Sequence, residues 1–435
     1  MLHPTSFAAL RAGTASFARR RLLILLFLLL PAAPRPGYAQ LAQVEVPDLR
    51  LIYVPEDAYI VPHATSTFLN SLAFQKRVFD FTPADPVTVL LTDFTDTGDA
   101  SATAVPRSRL AINIAPVHQT FETMTANDRM NLIMNHELIH IVELDRAAGA
   151  DRAFRRLFRG KVMPSGEQPE SVLYFFLTTP RVATPPWFKE GLATFFDTWM
   201  SAGIGRAQSG YYEMVFRAMV KDGVPFYDPL GLASEGTEVD FMSGTQSYLY
   251  GTRFMVWAAR TYGPEKLVEW ASRHEGGRAY YGAEFKRIFG LSVDDAWTRW
   301  AADEKVFQEA NLAAVRQYPL TPSVDMTTQT LGSVSRAYYD AAKDTLYAAF
   351  HYPGVVAHVG ALSGKTGTVD RLATVKGPLK FMVSSVARDP DSGTIYFTND
   401  NNAWRDIMSL DPATRRTTTL LRDARVGDLV FDRTA

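Results

Sequence analysis

The 435-residue chain contains no cysteine. That absence excludes a disulfide framework, thiolate metal sites, a cysteine nucleophile and lipidation at a signal-peptide cysteine. Charge imbalance is missing too: 45 Lys and Arg stand against 46 Asp and Glu, for a net charge of −1, with no basic or acidic block. Nucleic-acid binding therefore has no electrostatic support. There is no Gly-x-Ser-x-Gly elbow, no P-loop and no Gly-x-Gly-x-x-Gly turn beside a strand. Nor is there a run of the ~20 apolar residues that a membrane-spanning helix needs.

What is present begins at the amino terminus. "RAGTASFARRRLLILLFLLLPAAPRPGYAQ" places four arginines before the nine apolar residues Leu22–Leu30, then proline and small residues ahead of Gln40. This order predicts a cleavable signal peptide over residues 1–39 and a periplasmic or secreted mature protein with no stable membrane span. A hydrophobic content of 47% and a charged content of 21% describe an ordinary globular chain, and its length predicts two or three units.

Residues 40–124 read as strand-rich. "LRLIYVPEDAYIVP", "PVTVLLTDFTD" and "RLAINIAP" predict short strands, and "FLNSLAFQKRVF" predicts a helix between the first two. From 125 to 316 the periodicity is helical, with helices expected at 126–146, 150–159, 187–201, 209–221, 245–262, 264–274, 281–288 and 293–314. Residues 317–333 have no periodicity and read as a linker. Beyond them the pattern repeats: "YDAAKDTLYAAF" aligns with "RDPDSGTIYFTN" and "LSGKTGTVDRL" with "LDPATRRTTTL", while "GDLVFDR" opens a third unit. A period of this size in short strands predicts about two and a half propeller blades over 334–435. The expected fold class is thus α+β, followed by antiparallel, incomplete β-propeller-like blades.

Within the first long helix lies "MNLIMNHELIHIVELD", residues 130–145. His136 and His140, four apart, share one helix face, so both imidazoles can reach one zinc ion. Glu137 follows His136 by about 100° of helix rotation, beside such a metal, where a base for a metal-activated water belongs. The helix is apolar nearly all round, and a buried helix carrying two imidazoles and a carboxylate needs partners that a metal supplies. The other histidines form no rival set. His63 and His118 lie in strand-and-loop sequence, His274 at a helix end, and His351 and His358 among the blades.

"HELIH" followed by "PPWFKEGLATFFDTW" resembles the gluzincin metallopeptidases, in particular the peptidase MA-like group related to aminopeptidase N. The resemblance runs from about 125 to 305, and the later repeats resemble TolB-like β-propellers. It implies a zincin catalytic domain that hydrolyses a peptide or protein substrate with Zn2+, held by His136, His140 and Glu190. Glu137 is then the general base. Asp197, two helical turns after Glu190, is implied to orient a ligating histidine, and Glu143 competes for that part. The family's oxyanion-donating tyrosine maps onto Tyr248, three before Gly251 and six before Phe254, with Tyr250 as the alternative. Two departures stand out. Here 49 residues separate His140 from Glu190, many more than in aminopeptidase N relatives. No Gly-x-Met-Glu-Asn segment occurs in "DTGDASATAVPRSRLAINI", which favours endopeptidase over aminopeptidase action. A different class of function is a binding protein whose propeller recognises a partner on a zinc-stabilised platform; the intact Glu137 argues against it.

Overall fold

A computed structural model of the chain describes residues 41–96, 98–115, 128–233, 245–352, 354–376, 384–402 and 404–432. The expected signal segment, His118 and the first two residues of the expected 126–146 helix lie outside these. The first layer is a five-stranded sheet of β1 (Ala42–Val46), β2 (Leu49–Tyr53), β3 (Val87–Thr92), β4 (Ala100–Thr103) and β5 (Arg109–Asn113), in the order β1-β2-β3-β5-β4. The central pairs β2/β3 and β3/β5 are parallel, and the outer pairs β1/β2 and β4/β5 antiparallel. In β3 Val87, Val89 and Leu91 alternate into the core, the period expected of a strand packed on one face.

One expectation fails here. "YIVP" is not strand, because helix α1 starts at Val61 and runs to Phe79 with Pro62 in its first turn. A proline there gives up a donor that has no partner anyway, so it opens a helix rather than ending a strand. The edge strands β1 and β4 escaped the sequence reading because they are short and only half-buried: AQVEV alternates over just five residues, and ASAT alternates with small side chains only.

The helical part follows as α2 (Arg129–Asp145), α3 (Gly149–Leu157), α4 (Ser171–Thr178), α5 (Pro186–Met200), α6 (Gly210–Asp222), α7 (Pro229–Ala233), α8 (Gln246–Tyr262), α9 (Pro264–Ala271), α10 (Tyr281–Phe289) and α11 (Val293–Val315). The Asp128 carboxylate caps α2 by accepting from the Asn131 N–H at 2.7 Å. Helix α2 packs against α1, α5 and the strands β4 and β5, which explains why it is buried on every side. Helix α4 had no sequence signal: "SVLYFFLT" is apolar without a period.

Helices α5 and α8 cross at two glycines. A Cβ on Gly191 would stand 2.7 Å from Gly251 Cα, and one on Gly251 would overlap the Trp187 carbonyl oxygen. Only hydrogen fits between these backbones, so both glycines are fixed by packing. The crossing sets the residues beside it, Glu190 on α5 and Tyr248 on α8, against each other. Gly251→Ala should therefore cost about 1–3 kcal/mol of stability by overpacking, read from the urea midpoint, and should also weaken metal retention. An unchanged midpoint would mean the helices separate freely.

The remainder is two antiparallel sheets. The first holds β6 (Ser333–Val334), β7 (Tyr338–Asp340), β8 (Thr345–Tyr352), β9 (Val355–Ser363) and β10 (Val369–Thr374), in the order β10-β9-β8-β6 with β7 also on β8. The second is the meander β11 (Val386–Arg388), β12 (Ile395–Asp400), β13 (Arg405–Leu410) and β14 (Thr417–Leu421). Tyr347, Val359 and Leu372 of one sheet share an apolar cluster with Val386, Ile395, Phe397 and Leu410 of the other. The expected third unit is not seen: among the described residues "GDLVFDR" forms no strand, and its Asp428 and Leu429 bind Arg336 and Ser385 instead. The second sheet is tied to the loop after β3. The Arg405 N–H donates to Asp96 at 2.7 Å, and the Arg425 guanidinium binds both Asp93 and Asp96. Among the described residues no helix is long and apolar enough to cross a membrane.

Candidate metal centre

Two helices supply the candidate ligands. His136 and His140 stand one turn apart on α2, with ring centroids 5.1 Å apart. Glu190 comes from the first turns of α5, where Pro185 and Pro186 fix the start of the helix. His136 Nε2 lies 3.2 Å and His140 Nε2 3.6 Å from the same oxygen, Glu190 Oε2. The three donor atoms all fall within 4.8 Å of one another, and the histidines are buried. Around a tetrahedral zinc with bonds of about 2.1 Å, neighbouring donors stand about 3.4 Å apart. The observed separations bracket that value, and a His2Glu set suits zinc, so the residues fit the ion.

Asp197 sits behind this group. Its Oδ2 is 2.9 Å from His136 Nδ1, and it is fully buried. The Nδ1–H donates to that carboxylate, which reserves Nε2 for a metal. Of the two candidates for that part, Asp197 is the one in hydrogen-bond contact with a histidine. Glu143 makes no hydrogen bond to a histidine; its Oε1 accepts from the Thr184 hydroxyl at 2.6 Å. Burial raises the Glu143 carboxyl, opposed by Thr184 and the charge of His140.

The electrostatics describe a metal-free site. Burial alone would lower the His136 imidazolium, but the bonds to Asp197 and Glu190 outweigh it and hold it up at about 9. Burial opposes the charged forms of His140 and Glu190 as well, yet their attraction raises the first and pulls the second well below the usual carboxylate range. A proton on Nε2 thus occupies the place of a cation, and a metal taken up there would expel it.

Glu137 is buried on α2, and its charge is felt by His136, His140 and Tyr248. Tyr248 stacks on His136, with centroids 6.2 Å apart and planes at 19°. Its hydroxyl donates to Glu190; burial and the Glu190 charge together push the phenol above its ordinary range. Tyr250 points elsewhere. It is buried between Phe216 and Trp300, and its oxygen accepts from the Tyr227 N–H at 3.3 Å.

Two neighbours of the site had no sequence signal, and a third had one only as an unusually long spacing. Arg206, in a single turn of 3-10 helix after α5, donates to Asp197 Oδ2 at 3.2 Å. Tyr212 is buried and hydrogen-bonded to that guanidinium. The third is the long stretch between the ligand helices, which grips the end of α2. Arg155 donates to the Asp145 carbonyl at 2.6 Å and the Leu144 carbonyl at 3.3 Å, and Lys161 binds the Asp145 carboxylate at 2.5 Å. Cations there cap the last carbonyls and complement the helix dipole. The stretch thereby fixes the turn that follows His140.

The fold also corrects the reading of His274, which has acidic neighbours after all. His274 Nε2 lies 2.7 Å from Glu284 and 3.9 Å from Glu269, forming a second set of possible ligands. Arg287 already occupies its centre, 2.8 Å from Glu284 Oε1 and 3.3 Å from His274 Nε2. Burial would raise the Glu284 carboxyl, but Arg287, the Arg278 N–H and His274 outweigh it and hold it at about 2. This cluster is an ion-pair network with its cation built in.

No protein-family model and no curated protein matches the chain. Among solved structures, an aminopeptidase N family protein from Idiomarina loihiensis overlaps 89% of this chain and 70% of its own, at 11% identity and a TM-score of 0.29. That overlap is too loose to carry an argument about fold or activity.

Proposed function

We propose that the chain is an exported zinc metallopeptidase. The observation that carries this reading is the approach of two imidazole Nε2 atoms to one Glu190 oxygen, at 3.2 and 3.6 Å, beside a buried glutamate and a phenol. His136, His140 and Glu190 would hold the metal. Bound zinc supplies Lewis acidity and draws the pKa of a water down to about 7. Glu137 accepts a proton from the attacking water and delivers it to the leaving amine nitrogen as the carbon–nitrogen bond breaks. Tyr248 donates its hydroxyl hydrogen to the carbonyl oxygen on which charge develops. Asp197 keeps the His136 Nδ1–H engaged, which fixes the ring and its tautomer.

The substrate is a peptide or protein cleaved internally, in keeping with the missing Gly-x-Met-Glu-Asn segment. Residues 1–39 would be removed on export. Residues 40–124 and 125–316 form the peptidase, 317–333 the linker, and 334–435 successive propeller-like blades that offer a protein partner a surface. Their shared four-strand meander supports that last proposal.

The test is metal content. The mature protein should hold close to one zinc per chain by atomic emission after dialysis. His136→Ala, His140→Ala and Glu190→Ala should each lose it while remaining folded by circular dichroism. Full zinc in Glu190→Ala would remove that carboxylate from the ligand set and sink the reading.

A further inference from the structure

We propose that Arg206 is a positioning residue of this centre, holding Asp197 against His136 and the Tyr248 ring against the donor cluster. The inference rests on the zinc-peptidase reading and adds a part that no ligand motif contains.

Arg206 is 7% exposed, and its guanidinium meets three groups of the site at once. Nη2 donates to Asp197 Oδ2 at 3.2 Å, the hydroxyl of Tyr212 is hydrogen-bonded to it, and Cζ lies 5.1 Å from the centroid of the Tyr248 ring. The same Nη2 is 3.0 Å from His136 Nδ1. With the hydrogen on Nδ1, as a ligating Nε2 requires, neither atom of that pair can accept, so Nη2 donates to the Asp197 carboxylate and the Nδ1–H remains directed at Asp197. A guanidinium also binds the face of an aromatic ring. One rigid, permanently charged fork therefore spans the carboxylate that orients a histidine and the phenol expected to donate to the substrate.

Local structure holds the fork in place. Ala207 N–H donates to Thr198 Oγ1 at 3.1 Å, which pins the turn to α5 one residue after Asp197. Gly205 permits that approach, since a Cβ there would lie 2.8 Å from Thr198 Cα. Burying a guanidinium is costly, and the Asp197 charge with its hydrogen bond offsets that cost here. If the arginine served only to neutralise Asp197, nothing would require it to stack on the phenol.

The experiment uses the full mature chain loaded with zinc. Arg206→Met and Arg206→Lys are each made alone and with Tyr248→Phe. At saturating zinc, Arg206→Met should lower kcat by up to about 10²-fold, the scale of misplacing a reacting group, with KM unchanged, and it should weaken zinc affinity by about 10-fold or more as Asp197 loosens from His136. In the Tyr248→Phe background it should cost little more, because residues acting through one contact do not add. Arg206→Lys keeps the charge without the fork and should recover only part of the loss. A second arm needs no hydrolysis: 3-fluorotyrosine at position 248 should give one narrow 19F resonance in the wild-type protein and a shifted, broadened one in Arg206→Met. Equal losses of kcat in both backgrounds, or an unchanged 19F resonance, would overturn the proposal. A zinc-loaded wild type that cleaves no peptide would instead sink the peptidase reading, leaving the 19F arm to decide on Arg206. Should Arg206→Met fail to fold, Arg206→Lys carries both arms.

Discussion

Glu137→Gln is expected to bind zinc and fold like the wild type while losing peptide hydrolysis by about 10²–10⁴-fold, the usual contribution of a general base. The side chain is buried on α2 but is not among the three donors that approach one another. The amide keeps the shape and the helix and removes only the ability to take a proton. Zinc affinity should stay level, and kcat should carry the loss, since the proton moves during the chemical step. Single-turnover hydrolysis of an internally quenched peptide, with zinc measured on the same samples, separates the two quantities. Retained activity would mean that another group accepts the proton, even with the metal ligands correctly assigned.

Tyr248→Phe should lower kcat by about 10²–10³-fold, the scale of one lost oxyanion donor, and leave KM nearly unchanged. The substitution keeps the ring that stacks on His136 and faces Arg206, so the site should remain assembled. What it removes is a hydrogen bond made mainly in the transition state. Tyr250→Phe is the control. On the helix it lies about 200° from Tyr248, buried in the aromatic core with its oxygen bonded to the Tyr227 N–H. Its loss should cost about 0.5–1.5 kcal/mol of stability and no turnover. The reverse pattern would move the donor role to Tyr250 and contradict the geometry.

The candidate ligands were legible because their signal is local. His136 and His140 are four residues apart, and a helix turns that spacing into a shared face without help from the rest of the chain. The Trp-x-x-Glu-Gly-x-Ala stretch carried Glu190 through its resemblance, although nothing in the 49 intervening residues says that α5 returns beside α2. The helical periods were read within a few residues in most cases. The edge strands β1 and β4 and helix α4 were not: the strands alternate over only four or five residues with few apolar side chains, and α4 is apolar without a helical period.

Sequence alone therefore determined the spacing of the two histidines, the glutamate beside them and the α+β character, all properties of short segments. Tertiary structure decided what depends on long-range approach. It chose Asp197 over Glu143 beside His136, placed Tyr248 and not Tyr250 against Glu190, and brought in Arg206 and Tyr212. It also gave His274 acidic neighbours while filling their centre with Arg287. The reason is physical. Which of two helix positions faces a site depends on how closely the helices cross, and that distance is set by two glycines 60 residues apart, Gly191 and Gly251, whose meaning appears only where the backbones touch.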